Sequence, residues 1–172
     1  EGDLVMARGH YVLKHWWMRG LNHSSKSNVV VVSTINTLKK NLKWSHKNEW
    51  FDRDNISLLT YAVIIDDEYI TREILDYAKR TCNHDKYNQI LESRIRNQGY
   101  PRLGIPGGST ALMAAMMCAS PEIVSMLIES GANVESVDIM GNDALMFASI
   151  AGRTKNILYW CDNIKDWNVN RQ

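Results

Sequence analysis

Residues 104–117 read GIPGGSTALMAAMM, a glycine cluster that runs through a Ser-Thr pair into an apolar, helix-like stretch. Glycine-rich loops that open a helix hold phosphate in many proteins, because bare backbone N–H groups at a helix start attract anions. A nucleotide loop of the G-x-x-x-x-G-K-[ST] type also carries a lysine before its hydroxyl residue. No lysine precedes Ser109 or Thr110, and no strand-like run leads directly into the cluster. The acidic triplet Asp66-Asp67-Glu68 falls between two helical patterns and reads as a solvated turn rather than a metal or acid–base pair. Histidines stand at 10, 15, 23, 46 and 84, none beside a G-x-S-x-G elbow or a cysteine nucleophile motif. Cys82, Cys118 and Cys161 are odd in number and far apart, without the CxxC or HxxxH spacing of a metal site. Cys118 lies among apolar residues and reads as a small buried hydrophobe. Neither metal, cofactor nor catalytic residue is expected.

Composition narrows the class further. The chain has 172 residues, 45% of them apolar and 23% charged, as in a folded globular protein. A net charge of +1 gives no global field that would favour nucleic acid or an anionic membrane. No apolar run approaches the roughly 20 residues that span a bilayer; the longest β-branched run is the four valines at 29–32. The cysteine usage fits a reducing, intracellular setting better than a secreted one. The chain starts at Glu1 without a signal-like apolar segment, so a processed chain or a fragment is expected.

The elements that carry these residues come in repeats. Gly108-Ser109-Thr110-Ala111-Leu112-Met113-Ala114-Ala115 overlays Gly141-Asn142-Asp143-Ala144-Leu145-Met146-Phe147-Ala148 at an offset of 33 residues. Glu122-Ile123-Val124-Ser125-Met126-Leu127-Ile128 overlays Lys155-Asn156-Ile157-Leu158-Tyr159-Trp160-Cys161 at the same offset, and Ser130-Gly131-Ala132-Asn133-Val134 lies between. A fainter copy runs from Asp52 through Asn55, Ser57, Leu59 and Ala62, with a second helix over residues 69–75. Asn55 takes the glycine place, which asparagine can do because it tolerates positive φ.

This pattern resembles the ankyrin repeat, a 33-residue unit made of a turn and two helices. The match is dense over residues 108–134: Gly108, Thr110, Leu112, Ala115, Glu122, Ile123, Val124, Leu127, Ile128, Gly131, Ala132 and Asn133 fall in register. Gly108 then becomes the turn glycine before a repeat's first helix and Thr110 its cap, which removes the phosphate reading. The resemblance implies an all-α ankyrin-repeat solenoid of stacked helix-turn-helix units with finger loops. Its proline place is Leu58, Ala111 and Ala144, and its histidine place is Thr60, Met113 and Met146. Loss of the family's threonine–histidine bond suggests weaker units that lean on stacking.

Six segments follow. Residues 1–28 form an arm with aromatic and basic residues, including Trp16 and Trp17, expected to dock on the array or a neighbour. Residues 29–48 read as a helical cap or degenerate repeat, with an amphipathic pattern over 35–44. Repeats occupy 49–79, 108–140 and 141–172. Residues 80–107 are a basic insertion, because Asn55 and Gly108 stand 53 residues apart, about 20 more than one repeat. Within it, Ile90, Leu91 and Ile95 would share one face of a short helix; the whole is either a tolerated surface loop or a partner-binding or cap element. The closing WNVNRQ is similar to the start of another finger, so either a longer array or a terminal cap is expected.

The resemblance implies a non-catalytic protein–protein interaction module, a scaffold or adaptor. A structural subunit of a large assembly and a targeting domain of a larger enzyme are the rival expectations. The partner is a protein of unknown identity; the chain carries too little cationic charge for nucleic acid. In the family, fingers and first helices line the binding groove. Carried onto this chain, the groove candidates are Arg53, Tyr61, Met113, Met117, Val137, Ile139, Met140, Met146 and Phe147. Methionines suit an adaptable apolar surface, and they also fit as core filler between repeats.

Overall fold

A computed structural model describes residues 57–96, 99, 104–165 and 167. The expected arm and cap at 1–48, with Trp16 and Trp17, lie outside those residues, as do Arg53 and most of the closing WNVNRQ. Among the described residues seven helices follow one another: α1 (Leu58–Ile64), α2 (Glu68–Thr81), α3 (His84–Leu91), α4 (Ala111–Cys118), α5 (Pro121–Glu129), α6 (Ala144–Ile150) and α7 (Thr154–Asn163). Among the described residues there is no β-strand; Val137 and Asp143 form an isolated antiparallel bridge.

Short polar residues start most of these helices. A side-chain oxygen at the cap accepts one of the backbone N–H groups that the first turn leaves unbonded. Asp67 Oδ1 accepts from Ile70 N at 2.9 Å, Asn83 Oδ1 from Lys86 N at 2.9 Å, and Asp143 Oδ1 from Met146 N at 2.8 Å. Helix α5 lacks a side-chain cap and begins on Pro121, whose missing N–H is one the helix could not have bonded anyway.

The helices form two layers. Helices α1, α4 and α6 stack side by side as an inner row, and α2, α5 and α7 back them as an outer row. Helix α4 sits between α1 and α6 and has no polar face: Ala111 to Met116 are all buried. A helix that is apolar all round belongs between other elements. The outer row is amphipathic. Ile70, Ile74, Leu75 and Ala78 of α2 face inward at helical spacing, as do Ile123, Val124, Met126 and Leu127 of α5.

Polar contacts at the turns tie one helix pair to the next. Asp66, in the left-handed region at φ 54°, accepts from Ser120 N through Oδ1 at 2.7 Å. Arg153 Nη2 donates to Ala119 O at 2.6 Å. Asn156 Nδ2 reaches Ala115 O at 3.3 Å, Met116 O at 3.2 Å and Ala119 O at 3.0 Å. Ala115 O also accepts from Ala119 N at 2.8 Å and Ala119 O from Arg153, so the buried amide from the next pair chiefly completes Met116 O near the end of α4. Asn156 stands where the preceding repeat has Ile123. The polar residue is therefore a local replacement of core by cap.

The described residues within 80–107, the span expected to be an insertion, are neither a bare loop nor detached from the core. Helix α3 buries Ile90 and Leu91, and the chain after it buries Ile95 and Ile105. The helix before it, α2, runs on to Thr81.

Replacing Asn156 by leucine keeps the branched side-chain shape but removes the donor. The buried Met116 carbonyl left without this donor should then lower unfolding free energy by about 1–3 kcal/mol, read as a reduced urea midpoint with unchanged helical circular dichroism. An unmoved or higher midpoint would mean that the amide adds no net stability.

Candidate protein-binding surface

The finger over residues 137–143 is organised by one carboxylate. Asp138 Oδ1 accepts from Met140 N and Asn142 N, both at 2.8 Å, and Oδ2 accepts from Asn142 Nδ2 at 3.1 Å. Asp138 N donates to Asn142 O at 2.9 Å, and Gly141 N to Asp138 O at 3.2 Å. Gly141 takes φ 83°, which a side chain would strain. Asp138 itself is buried, so the turn is closed from inside and its apolar residues point out. Val137 is 40% exposed, Ile139 57% and Met140 76%.

The finger rests on the loop before it. Ile139 N donates to Gly107 O at 3.3 Å. A Cβ on Gly108 would lie 2.8 Å from both Ile139 N and Ile139 Cγ2, and Gly108 has φ 78°. Only glycine allows this approach, which gives the glycine cluster its physical reason. The cluster's polar groups are engaged inside the fold: Gly108 N donates to Ile95 O at 2.8 Å, Ser109 Oγ to Pro106 O at 2.7 Å, and Thr110 N to the thioether of Met113 at 3.4 Å. They are not presented to an anion.

Segment 92–95 braces the same finger. Glu92 Oε1 accepts from Asn133 N at 2.7 Å, and Glu92 Oε2 from Ser136 Oγ at 3.3 Å. Arg94 Nη1 donates to Gly108 O at 2.9 Å and to Val137 O, and Nη2 lies 3.4 Å from Ser136 Oγ. Ile95 N donates to Ser109 O at 3.0 Å. Segment 92–95 therefore holds two successive fingers together through carbonyls, a role that charge counting could not assign.

The inner row contributes Met146, 44% exposed, and Ile150, 73% exposed, one turn apart on the same side of α6. Met117 of α4 and Tyr61 of α1 are half-buried. A Cβ on Gly104 would lie 3.8 Å from Met117 Cε, which sets this loop beside the end of α4. Two groove expectations need correction. Met113 is only 1% exposed and Phe147 only 3%, so neither presents its side chain to a partner. Met113 is enclosed in the stack and caps its own helix start through sulfur. Ile150 was missed; its signal was its position 33 residues after Met117.

The groups that could do chemistry have structural work. Asp66 accepts from Ser120 N just before α5, and Asp67 caps α2. Among the described residues no group of three or more His, Cys, Asp or Glu is placed to hold a metal ion. Cys118 Sγ donates to Ala114 O at 2.9 Å. Burial pushes the Cys118 thiol up to about 12; Arg153 pulls it back somewhat and Asp66 adds a smaller push. Among the described residues no helix is long and apolar enough to cross a membrane.

Arg94→Ala should loosen the finger without unfolding the stack. Hydrogen exchange at the Asp138, Ile139 and Gly141 amides should quicken by about tenfold, the effect of losing roughly one hydrogen bond to a charged group, while α6 amides keep their rates. Unchanged finger exchange would mean that Asp138 alone holds the turn. The thiols give a second test. Exposed Cys161 should alkylate at neutral pH while Cys118 does not. Unfolding releases the Cys118 proton between its ordinary 9.0 and about 12, so its contribution is intact below 9.0 and lost as pH climbs through that window. The stability of wild type relative to Cys118→Ala should fall there and stay level below it; a flat difference would contradict the assignment.

Comparison with known proteins agrees with the stacked helix pairs and fingers. No curated protein matches the chain significantly. Among solved structures, the predatory endopeptidase Bd0816 from Bdellovibrio bacteriovorus in complex with immunity protein Bd3460 aligns over 94% of this chain and 96% of that one. At 14% identity and a TM-score of 0.35, that likeness bears on neither fold nor function. The family model for ankyrin repeats, three copies, matches residues 78–171. That span is more than half of the chain, and with the paired helices, capped turns and glycine-set fingers it shows that the chain belongs to the ankyrin-repeat family.

Proposed function

We propose that the chain is a non-catalytic adaptor that binds a protein partner through the apolar finger at 137–140 and the exposed side of α6. Ankyrin repeats are in general protein-interaction modules, and the finer assignment rests on one observation. Val137, Ile139 and Met140 stand out in solvent on a turn whose own polar groups are satisfied by buried Asp138. Isolated surface apolar residues need no explanation, but three on one braced turn, with Met146 and Ile150 on the adjoining helix, are unusual. With the backbone beneath them already fixed, binding at these side chains costs rotamer entropy but little backbone ordering. Tyr61 and Met117 line the same inner row and would contribute at the edge. Arg53, Trp16 and Trp17 remain proposed contacts from outside the described residues. A reducing cell interior suits the three free thiols.

Capture of partners from source lysate tests this reading. The chain carrying Ile139→Glu and Met140→Glu should lose the protein that wild type retains. Leu158→Glu, which alters an exposed residue of the outer row, should keep it. Circular dichroism checks that each variant is folded. Equal capture by all three would move the site to the insertion or the arm and favour a structural subunit.

A further inference from the structure

Among the described residues no helix lies beyond α7, and the pair α6–α7 has one open side. The repeat identifies that side, because each residue has a counterpart 33 positions earlier. Helix α6 packs against α4, in which Leu112, Met113 and Met116 are buried. Their counterparts in α6 are more open: Leu145 is half-buried, Met146 is 44% exposed, and Ser149 is exposed. The outer row repeats the shift. In α5, against which α7 packs, Val124 is buried and Ser125 and Ile128 are half-buried. In α7, Ile157 is half-buried, Leu158 is 58% exposed, and Cys161 is exposed. Exposed Thr154 completes the series, and spacings of three and four put 154, 157, 158 and 161 on one stripe of α7.

This side is apolar. Repeat arrays that end in water carry a polar outer face, whereas this pair presents leucine, isoleucine and methionine. Ser149 Oγ donates to Leu145 O at 2.9 Å, so its hydroxyl is already bonded within the helix. Helix α6 has no charged residue, and α7 has two, Lys155 and Asp162, both exposed. They are of opposite sign and stand three and four residues either side of Leu158, on the flank of the stripe. Along the axis they are about 10 Å apart. That arrangement is complementary to itself. When a second α7 lies antiparallel with Leu158 at the crossing, Lys155 of each copy comes to Asp162 of the other. Residue i then meets j and j meets i, as a two-fold contact requires.

We propose that two copies of this chain associate through the open sides of α6 and α7, with Leu158 at the centre and Lys155–Asp162 pairs at the edge. A second copy suits this side because its centre has no charge to oppose itself, and its edge charges match under the two-fold. The contact is only two short helices wide, so association is weak, with a dissociation constant of about 10–100 µM. Met146 borders both this surface and the one joined to the finger. Leu158 belongs to this one alone, and Ile139 and Met140 take no part in it.

Sedimentation velocity of the full chain tests it, in reducing buffer so that exposed Cys161 forms no disulfide, over about 5–500 µM. The wild type should pass from monomer to dimer across that range. Leu158→Glu should stay monomeric. Lys155→Glu should weaken association about tenfold, the order of two edge pairs lost and set against like charge. Adding Asp162→Lys to Lys155→Glu should restore it, which also shows that the single variant was folded. The Ile139→Glu, Met140→Glu chain should dimerise like wild type, so this result stands or falls apart from the finger reading. A wild type monomeric at every concentration overturns the proposal. So does association that survives Leu158→Glu or disappears with the finger variant. Species larger than a dimer, or indifference to the charge reversals, overturns the two-fold pairing.

Discussion

The structure depends on the enclosure of α4 between α1 and α6. Each helix pair is too small to bury its own apolar face, so stability arises between pairs rather than within them. Helix α4 meets this demand with small residues. Ala111, Ala114 and Ala115 let neighbouring backbones come close, and Leu112, Met113 and Met116 fill what remains. The finger hangs from the same stack: it leaves the end of one pair and returns at the cap of the next. Its position therefore inherits the precision of helix packing, which is why an exposed turn can be held by a few short hydrogen bonds.

The turn chemistry shows how three related units solve one problem differently. The family's threonine and histidine places hold Ser57 and Thr60 in the first unit, where the two hydroxyls lie 2.8 Å apart and buried. They hold Thr110 and Met113 in the second, where a thioether accepts the cap's own N–H. In the third, Asp143 caps alone and Met146 turns to solvent. A carboxylate or hydroxyl is a far better acceptor than sulfur. The second unit tolerates the weak acceptor because its helix is enclosed on both sides and Met116 O near its end is completed by Asn156.

The repeat pattern was legible because its signals are local. A turn glycine, a capping residue three positions before a helical N–H, and apolar residues at helical spacing are all properties of neighbouring sequence. Exposure is not. Met113 and Met146 occupy one place in the repeat, 33 residues apart, yet one is sealed and the other is open. The difference lies in whether a further helix covers that side, which no single repeat encodes. The insertion misleads in the opposite direction. Its arginines suggest a charged surface loop, but Arg94 is held by carbonyls of two fingers, and its sparse apolar residues Ile90, Leu91 and Ile95 carry the packing.

An apolar finger tip raises a solubility problem that the rest of the fold answers. Ile139 and Met140 in water favour collapse or self-association, and a flexible loop would fold them against its own stack. Three constraints prevent this. Asp138 fixes the turn from beneath, Gly108 brings the preceding backbone close enough to bond Ile139 N, and segment 92–95 clamps the flank. The chain thus keeps an apolar surface both exposed and ordered. Association then loses little backbone conformational entropy at the tip, because the turn was ordered during folding. A surface built only for stability would have no reason to maintain that arrangement, since burying or replacing the same side chains by polar ones would leave the stack intact.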